Sequence, residues 1–146
     1  MSNRLTGQPH AGKAERAPRV LIVEDDALIA WDMSLSLLAA GFEVCEFVHT
    51  GVAALEQAAA ADPDFIVMNV NLQAGMDGIA VAHALRARGV RARIIFVTGF
   101  GDPDTTTRIA AFNLDGYLLK PVMPEALAAA VRRVLRANPV AATNAR

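Results

Sequence analysis

Several things are missing from this chain, and each absence narrows what it can be. It has one cysteine, Cys45, so no internal disulfide can form, and that usage fits a reducing compartment. No apolar run approaches the roughly 18 residues needed to span a bilayer. The first 18 residues are polar, with His10, Lys13, Glu15 and Arg16, and carry no apolar stretch of the signal-peptide kind. Neither sign of charge is in excess: 14 Lys and Arg stand against 15 Asp and Glu, for a formal net charge of -1. No global field therefore recruits nucleic acid or an anionic membrane. His10, His49 and His83 are scattered and make no metal set. There are no internal repeats. Together these absences imply a soluble, cytoplasmic protein with neither membrane nor nucleic acid among its partners.

What is present is apolar and strongly patterned. The chain of 146 residues is 53% hydrophobic, with mean hydropathy +0.30, enough for one well-packed domain. Much of that apolar content is alanine, which favours helices in close contact. Residues 1–18 read as a flexible leader, 19–137 as the domain, and 138–146 as a tail too short for an output domain. Strands are expected over 19–24, 43–48, 64–69, 93–98 and 115–119. Helices are expected over about 26–40, 51–61, 78–88, 103–112 and 124–137.

The punctuation between them agrees. Gly41 and Gly89 close the first and third helices. Asp26, Thr50 and Asp77 can cap helix starts, and Asp62-Pro63 stops the second helix. Asp102-Pro103 and Pro124 open the fourth and fifth, and Asn138-Pro139 ends the last. Strands alternating with helices of this length imply a doubly wound α/β fold: a five-stranded parallel sheet, flavodoxin-like, in the order 2-1-3-4-5, with helices on both faces. Ligands of such sheets bind beyond the carboxyl ends of the strands, where the order reverses.

Those ends carry the chemistry. Val20-Leu21-Ile22-Val23 runs into Glu24-Asp25-Asp26, and Phe65-Ile66-Val67-Met68 ends at Asn69. Ile94-Ile95-Phe96-Val97 ends at Thr98-Gly99, and Tyr117-Leu118-Leu119 ends at Lys120-Pro121. Alone, the acidic turn would be a helix cap, Thr98 a strand-end hydroxyl and Lys120 a solvated lysine. Joint placement at the strand ends reverses those readings: acid pair, hydroxyl and lysine suit a divalent metal and a phosphoryl group. A carboxylate nucleophile is absent, since Asn69 stands where one belongs and an amide cannot form an aspartyl-phosphate.

On these residues, with Met76-Asp77-Gly78 before the third helix, the chain resembles a response-regulator receiver domain over about 19–137. Phe96-Val97-Thr98-Gly99-Phe100 and the loop Asn71–Met76 are similar to single-domain and kinase-associated receivers of alphaproteobacteria, a bacterial two-component setting. The resemblance implies Mg²⁺ held by Asp25 directly, Glu24 through a water, an oxygen of residue 69 and the carbonyl of Asn71. It implies that Asn69 occupies the phosphoacceptor position and that Lys120, on a Lys-Pro bond often cis in the family, would face the phosphoryl group. Thr98 and Tyr117 would form the switch pair. The partners it implies are a histidine kinase or histidine phosphotransfer protein, with an unspecified downstream protein. Homodimerisation stays open, because some receiver families pair through the fourth helix, fifth strand and fifth helix and others do not.

Asn69 weakens the expected metal affinity, since a neutral amide is a poorer ligand than a carboxylate. Three readings stand: an engineered Asp→Asn block in a phosphorelay receiver, a natural pseudo-receiver working by constitutive binding, or slow phosphorylation of Asp25 or Asp26. Catalysis of an aspartyl-phosphatase kind fails, because Asn69-Val70-Asn71 carries no aspartate. A flavin or nucleotide binder would need a phosphate loop where Glu24-Asp25-Asp26 stands. No enzymatic activity is expected.

Lesser features are read structurally. Ile29, Met33 and Leu37 suggest the inner stripe of the first helix, which leaves Trp31 partly exposed. Arg86, Arg88, Arg91 and Arg93, and likewise Arg132, Arg133 and Arg136, read as solvated charge. Cys45 reads as a small core residue. The threonines after Asp104 make a poor helix start and suggest a mobile fourth helix.

Overall fold

The computed structural model describes residues 16–72, 75–99, 103–113 and 116–137. Strands β1 (Arg19–Val23), β2 (Glu43–Val48), β3 (Phe65–Asn69), β4 (Arg93–Thr98) and β5 (Tyr117–Leu119) alternate with helices α1 (Ala27–Ala39), α2 (Gly51–Ala61), α3 (Gly78–Ala87), α4 (Pro103–Asn113) and α5 (Pro124–Ala137). All pairings are parallel and the sheet order is β2-β1-β3-β4-β5. The chain thus winds outward from β1 to β2, then returns to β1's other side to lay down β3. The carboxyl ends of β1 and β3 therefore flank the reversal, as the doubly wound reading requires.

Burial on both faces follows from the pleat. Leu21, Val23, Ile66, Met68, Ile94 and Phe96 join one apolar cluster with residues of α2, α3 and α4. The alternate positions Val20, Ile22, Phe65, Val67, Ile95 and Val97 join a second cluster with α1 and α5. Period-two alternation sends neighbouring side chains to opposite faces, so near-continuous apolar runs are what a doubly covered parallel sheet demands.

Helix starts are capped as expected. Asp26 accepts from the N–H groups of Leu28 (3.0 Å) and Ile29 (3.1 Å), Thr50 from Ala53 (3.1 Å) and Asp77 from Ala80 (2.8 Å). Asp62 closes α2 in the left-handed region at φ 50°. β1 ends one residue early, leaving Glu24 beyond the strand, and β5 is three residues long. Asp102, Asp115, Asn138, residues 1–15 and residues 139–146 lie outside the described residues, and with them most of the leader and the tail; α4 begins at Pro103, as expected.

Three local expectations are corrected. Ile29 is 39% exposed, and the inner stripe of α1 is Ala30, Met33, Ser34 and Leu37, one position out of phase. The arginines around β4 are not all solvated. Arg93 is only 7% exposed, and Arg86 donates to the carbonyls of Val90 (3.0 Å) and Ala92 (2.7 Å) while lying over the Phe112 ring. Arg132 likewise donates to Ala40 O at 3.1 Å, at the carboxyl end of α1. Cys45 is half-buried: the register shifts between Val20 and Leu21, which pair with Val44 and Glu46, and its thiol donates to Val20 O at 3.3 Å. That irregularity and exposed Glu43 and Glu46 blunt the edge strand against pairing with another sheet. Trp31 is 54% exposed and meets Phe47 edge-on, a packing contact at the margin of the sheet.

Gly78 brings α3 against the end of β3. Its N–H donates to Val70 O at 2.7 Å, and a Cβ there would stand 2.1 Å from Asn69 O and 2.9 Å from Met68 Cγ. Gly78→Ala should therefore force β3 and α3 apart and cost about 3 kcal/mol of stability. The check is urea unfolding, with a lowered midpoint and an unchanged slope expected.

Candidate functional site

The turn after β1, the end of β3 and the residue after β5 converge on one cleft of about 390 Å³. Its polar lining is Glu24, Asp25, Asp26, Asn69, Asn71 and Lys120, and Ile29 supplies an apolar wall. Asn69 is the last residue of β3, in phase with Phe65 and Val67 and so on the α1/α5 side of the sheet. Thr98 is in phase with Ile94 and Phe96 on the other side, is 2% exposed, and is not among the cleft's lining residues. Tyr117 pairs in register with Phe96 and is 38% exposed. The structure thus brings together five of the seven sequence-picked residues, with Thr98 behind them and Tyr117 beside the neighbouring strand.

The centre of the cleft is an amide among acids. Asn69 Nδ2 donates to Asp25 Oδ1 (3.1 Å), to Asn71 O (3.1 Å) and, more weakly, to Glu24 Oε2 (3.3 Å). Asn69 Oδ1 accepts from the Asn71 N–H at 3.4 Å. Three acceptors on one side and a donor on the other fix which end of the amide is nitrogen. Glu24 is buried, and its Oε2 also accepts from the Asp26 N–H at 3.0 Å. Burial pushes the Glu24 carboxyl above its ordinary range; the Asp26 N–H and Lys120 pull it back and Asp25 adds to the rise. Glu24 Oε1 makes no hydrogen bond, and the Lys120 ammonium lies 3.5 Å away. Lys120 therefore pairs with Glu24, and the Lys120-Pro121 bond is cis.

Two contacts around the site carry no signal in the sequence. His49 Nδ1 lies 2.8 Å from Glu24 O, which ties the edge strand to the acidic turn. Arg108 of α4 grips Asp77, the cap of α3, through contacts of 2.8 and 3.2 Å. Nothing local in the sequence signals a pairing across 31 positions.

Glu24, Asp25 and the Asn71 carbonyl are oxygens of the kind Mg²⁺ takes. As arranged, however, the set does not fit a cation. An N–H donor points at the place those oxygens share, Asp26 is engaged in capping α1, and among the described residues no group of three His, Cys, Asp or Glu side chains could hold a metal.

Comparison with known proteins agrees with the fold. A family model described as the response regulator receiver domain matches residues 20–132. The chain belongs to that family. It is 32% identical over 128 residues to the transcriptional regulatory protein PrrA of Mycobacterium leprae, covering 88% of this chain and 54% of that one. It is 35% identical over 120 residues to the response regulator MprA of Mycobacterium ulcerans, covering 81% and 50%. The receiver thus spans about half the length of the curated relatives it matches. Among solved structures, the chemotaxis protein CheY4 of Vibrio cholerae superposes with a TM-score of 0.75 at 32% identity, covering 82% of this chain and 99% of that one. Receivers act in two-component signalling, where they engage histidine kinases or phosphotransfer proteins. Among the described residues no helix is long and apolar enough to cross a membrane.

The Asp77–Arg108 pair gives a pH prediction. Burial raises the Asp77 carboxyl, but the Arg108 guanidinium and the Ala80 N–H outweigh it and hold it below the ordinary aspartate range. A lowered folded-state value stabilises the fold above the unfolded aspartate value, about 4, and that contribution is lost as pH falls further. Both partners are about one-third exposed or more, so screening limits the pair to about 1 kcal/mol at most. Arg108→Ala should lower stability at pH 7 by no more than that, with the difference from the parent shrinking as the pH falls below the unfolded aspartate value. Chemical unfolding across that range checks it.

Proposed function

We propose that this receiver works by binding partners and accepts no phosphoryl group at position 69, which stands as the phosphoacceptor position. One observation carries the reading: Asn69 presents an amide whose N–H atoms are committed to Glu24, Asp25 and Asn71 O. An amide offers no carboxylate nucleophile, and a neutral ligand binds Mg²⁺ weakly. In this assignment Asp25, Glu24, residue 69 and the Asn71 carbonyl stand at the positions of the family's metal set, and Lys120 at that of the phosphoryl-facing lysine. Thr98 and Tyr117 keep the places of the switch pair. Without a phosphoryl group to bind one state better than the other, nothing drives that pair across. The chain catalyses no reaction of its own. Its partner is a histidine kinase or histidine phosphotransfer protein, held constitutively, and its near-neutral charge argues against nucleic acid.

The retained acid pair and lysine favour a second reading, in which aspartate is the working residue at position 69 and Asn69 blocks an otherwise competent phosphorelay receiver. Intact mass after incubation with acetyl phosphate and Mg²⁺, for this protein and Asn69→Asp side by side, separates the two. No added mass is expected on this protein. One phosphoryl mass on Asn69→Asp alone would assign the silence to position 69 and favour the second reading. Mass gained by neither protein favours constitutive binding. Phosphorylation of the protein as it stands overturns both.

A further inference from the structure

We propose that the Asn69 amide nitrogen takes the place of the divalent cation, so that the acidic cleft is satisfied internally and Asn69 competes with metal instead of serving as a weak ligand for it. This deepens the assignment of the cleft as the receiver's metal site, and it does not depend on whether position 69 can be phosphorylated.

Three contacts carry it. Glu24 Oε2, Asp25 Oδ1 and Asn71 O surround one atom at 3.3, 3.1 and 3.1 Å, and that atom is a donor nitrogen. Turning the amide over would set Oδ1 against three acceptor oxygens and lose the bond from Asn71 N–H at 3.4 Å. A cation entering the cleft must therefore displace or overturn the amide and break each of these bonds. The amide's positive end does part of a cation's work. It contributes only partial charge and reaches Glu24 through Oε2 alone; Oε1 makes no hydrogen bond and has the Lys120 ammonium at 3.5 Å. A carboxylate at position 69 could not do this: three carboxylates would face one another and require a cation.

The competing view, that Asn69 is merely a poor ligand, makes the opposite prediction for a truncated side chain. Removing a ligand weakens metal binding, whereas removing a competitor strengthens it. The test is calorimetric titration of the protein, Asn69→Ala and Asn69→Asp with Mg²⁺, repeated with Mn²⁺ by paramagnetic resonance. Thermal unfolding in EDTA and in millimolar Mg²⁺ accompanies it. The protein should unfold at the same temperature in both solutions. Asn69→Ala should bind Mg²⁺ about tenfold more tightly or better, the effect of freeing hydrogen-bonded acceptors. Asn69→Asp should be destabilised in EDTA and recover with Mg²⁺. Weaker binding by Asn69→Ala than by the parent overturns the proposal, as does a Mg²⁺-induced rise for the parent equal to that of Asn69→Asp. Should Asn69→Ala fail to fold, Asn69→Val, which also removes the amide but refills the strand end, takes its place in the titration. If Asn69→Asp also ignores Mg²⁺, the cleft is no cation site and the proposal fails, while the mass measurement still judges phosphorylation independently.

Discussion

A buried carboxylate has to be answered by positive potential, and Glu24 sets that demand at the centre of this molecule. It follows directly on a strand with no exposed residue after Arg19, so the fold gives its side chain nowhere to reach water. Leaving such a group uncompensated costs several kcal/mol. The response comes from separate parts of the chain: the Asp26 N–H from its own turn, the Asn69 amide from β3 and Lys120 from the residue after β5. Each donor arrives there because parallel strands all point their carboxyl ends the same way. The reversal of order between β2, β1 and β3 leaves room for them. The sheet and the cleft are in this sense one solution, in which topology delivers the donors and the acid holds them.

Most of this was legible in the sequence for identifiable reasons. Apolar runs of three or four residues, set between glycine, proline and charged residues, define most of the strands whatever their neighbours do. The caps Asp26, Thr50 and Asp77 act within three residues of themselves, so local reading finds them. The strand ends carried Glu24, Asp25, Asn69, Thr98 and Lys120 into one region by topology alone. What escaped was non-local or depended on phase. Ile29, Met33 and Leu37 repeat at helical spacing, which points to Ile29 on the inner stripe. The buried face is instead centred on Ala30, a small residue that signals little. Arg86 and Arg93 look like solvent-facing charge in a sequence, which does not show which carbonyls a loop will turn towards them. The orientation of the Asn69 amide could not be read at all, since it depends on three acceptors supplied from two strand ends.

That orientation changes how the neighbouring acids should be read. An acid pair and a lysine at receiver positions look, from sequence, like a metal and phosphoryl site that has lost only its nucleophile. In the folded chain the same residues have structural employment without either ligand. Asp26 caps α1, Glu24 anchors Lys120 and the turn, and Asp25 shares the Asn69 amide. Removing Glu24 would leave the Lys120 ammonium and the Asp26 N–H unserved, so keeping the acids is advantageous even if no metal ever enters. Presence of the set is therefore weaker support for phosphorelay chemistry than its composition suggests. The discriminating quantity is what occupies the space between the oxygens, and here that is an amide nitrogen.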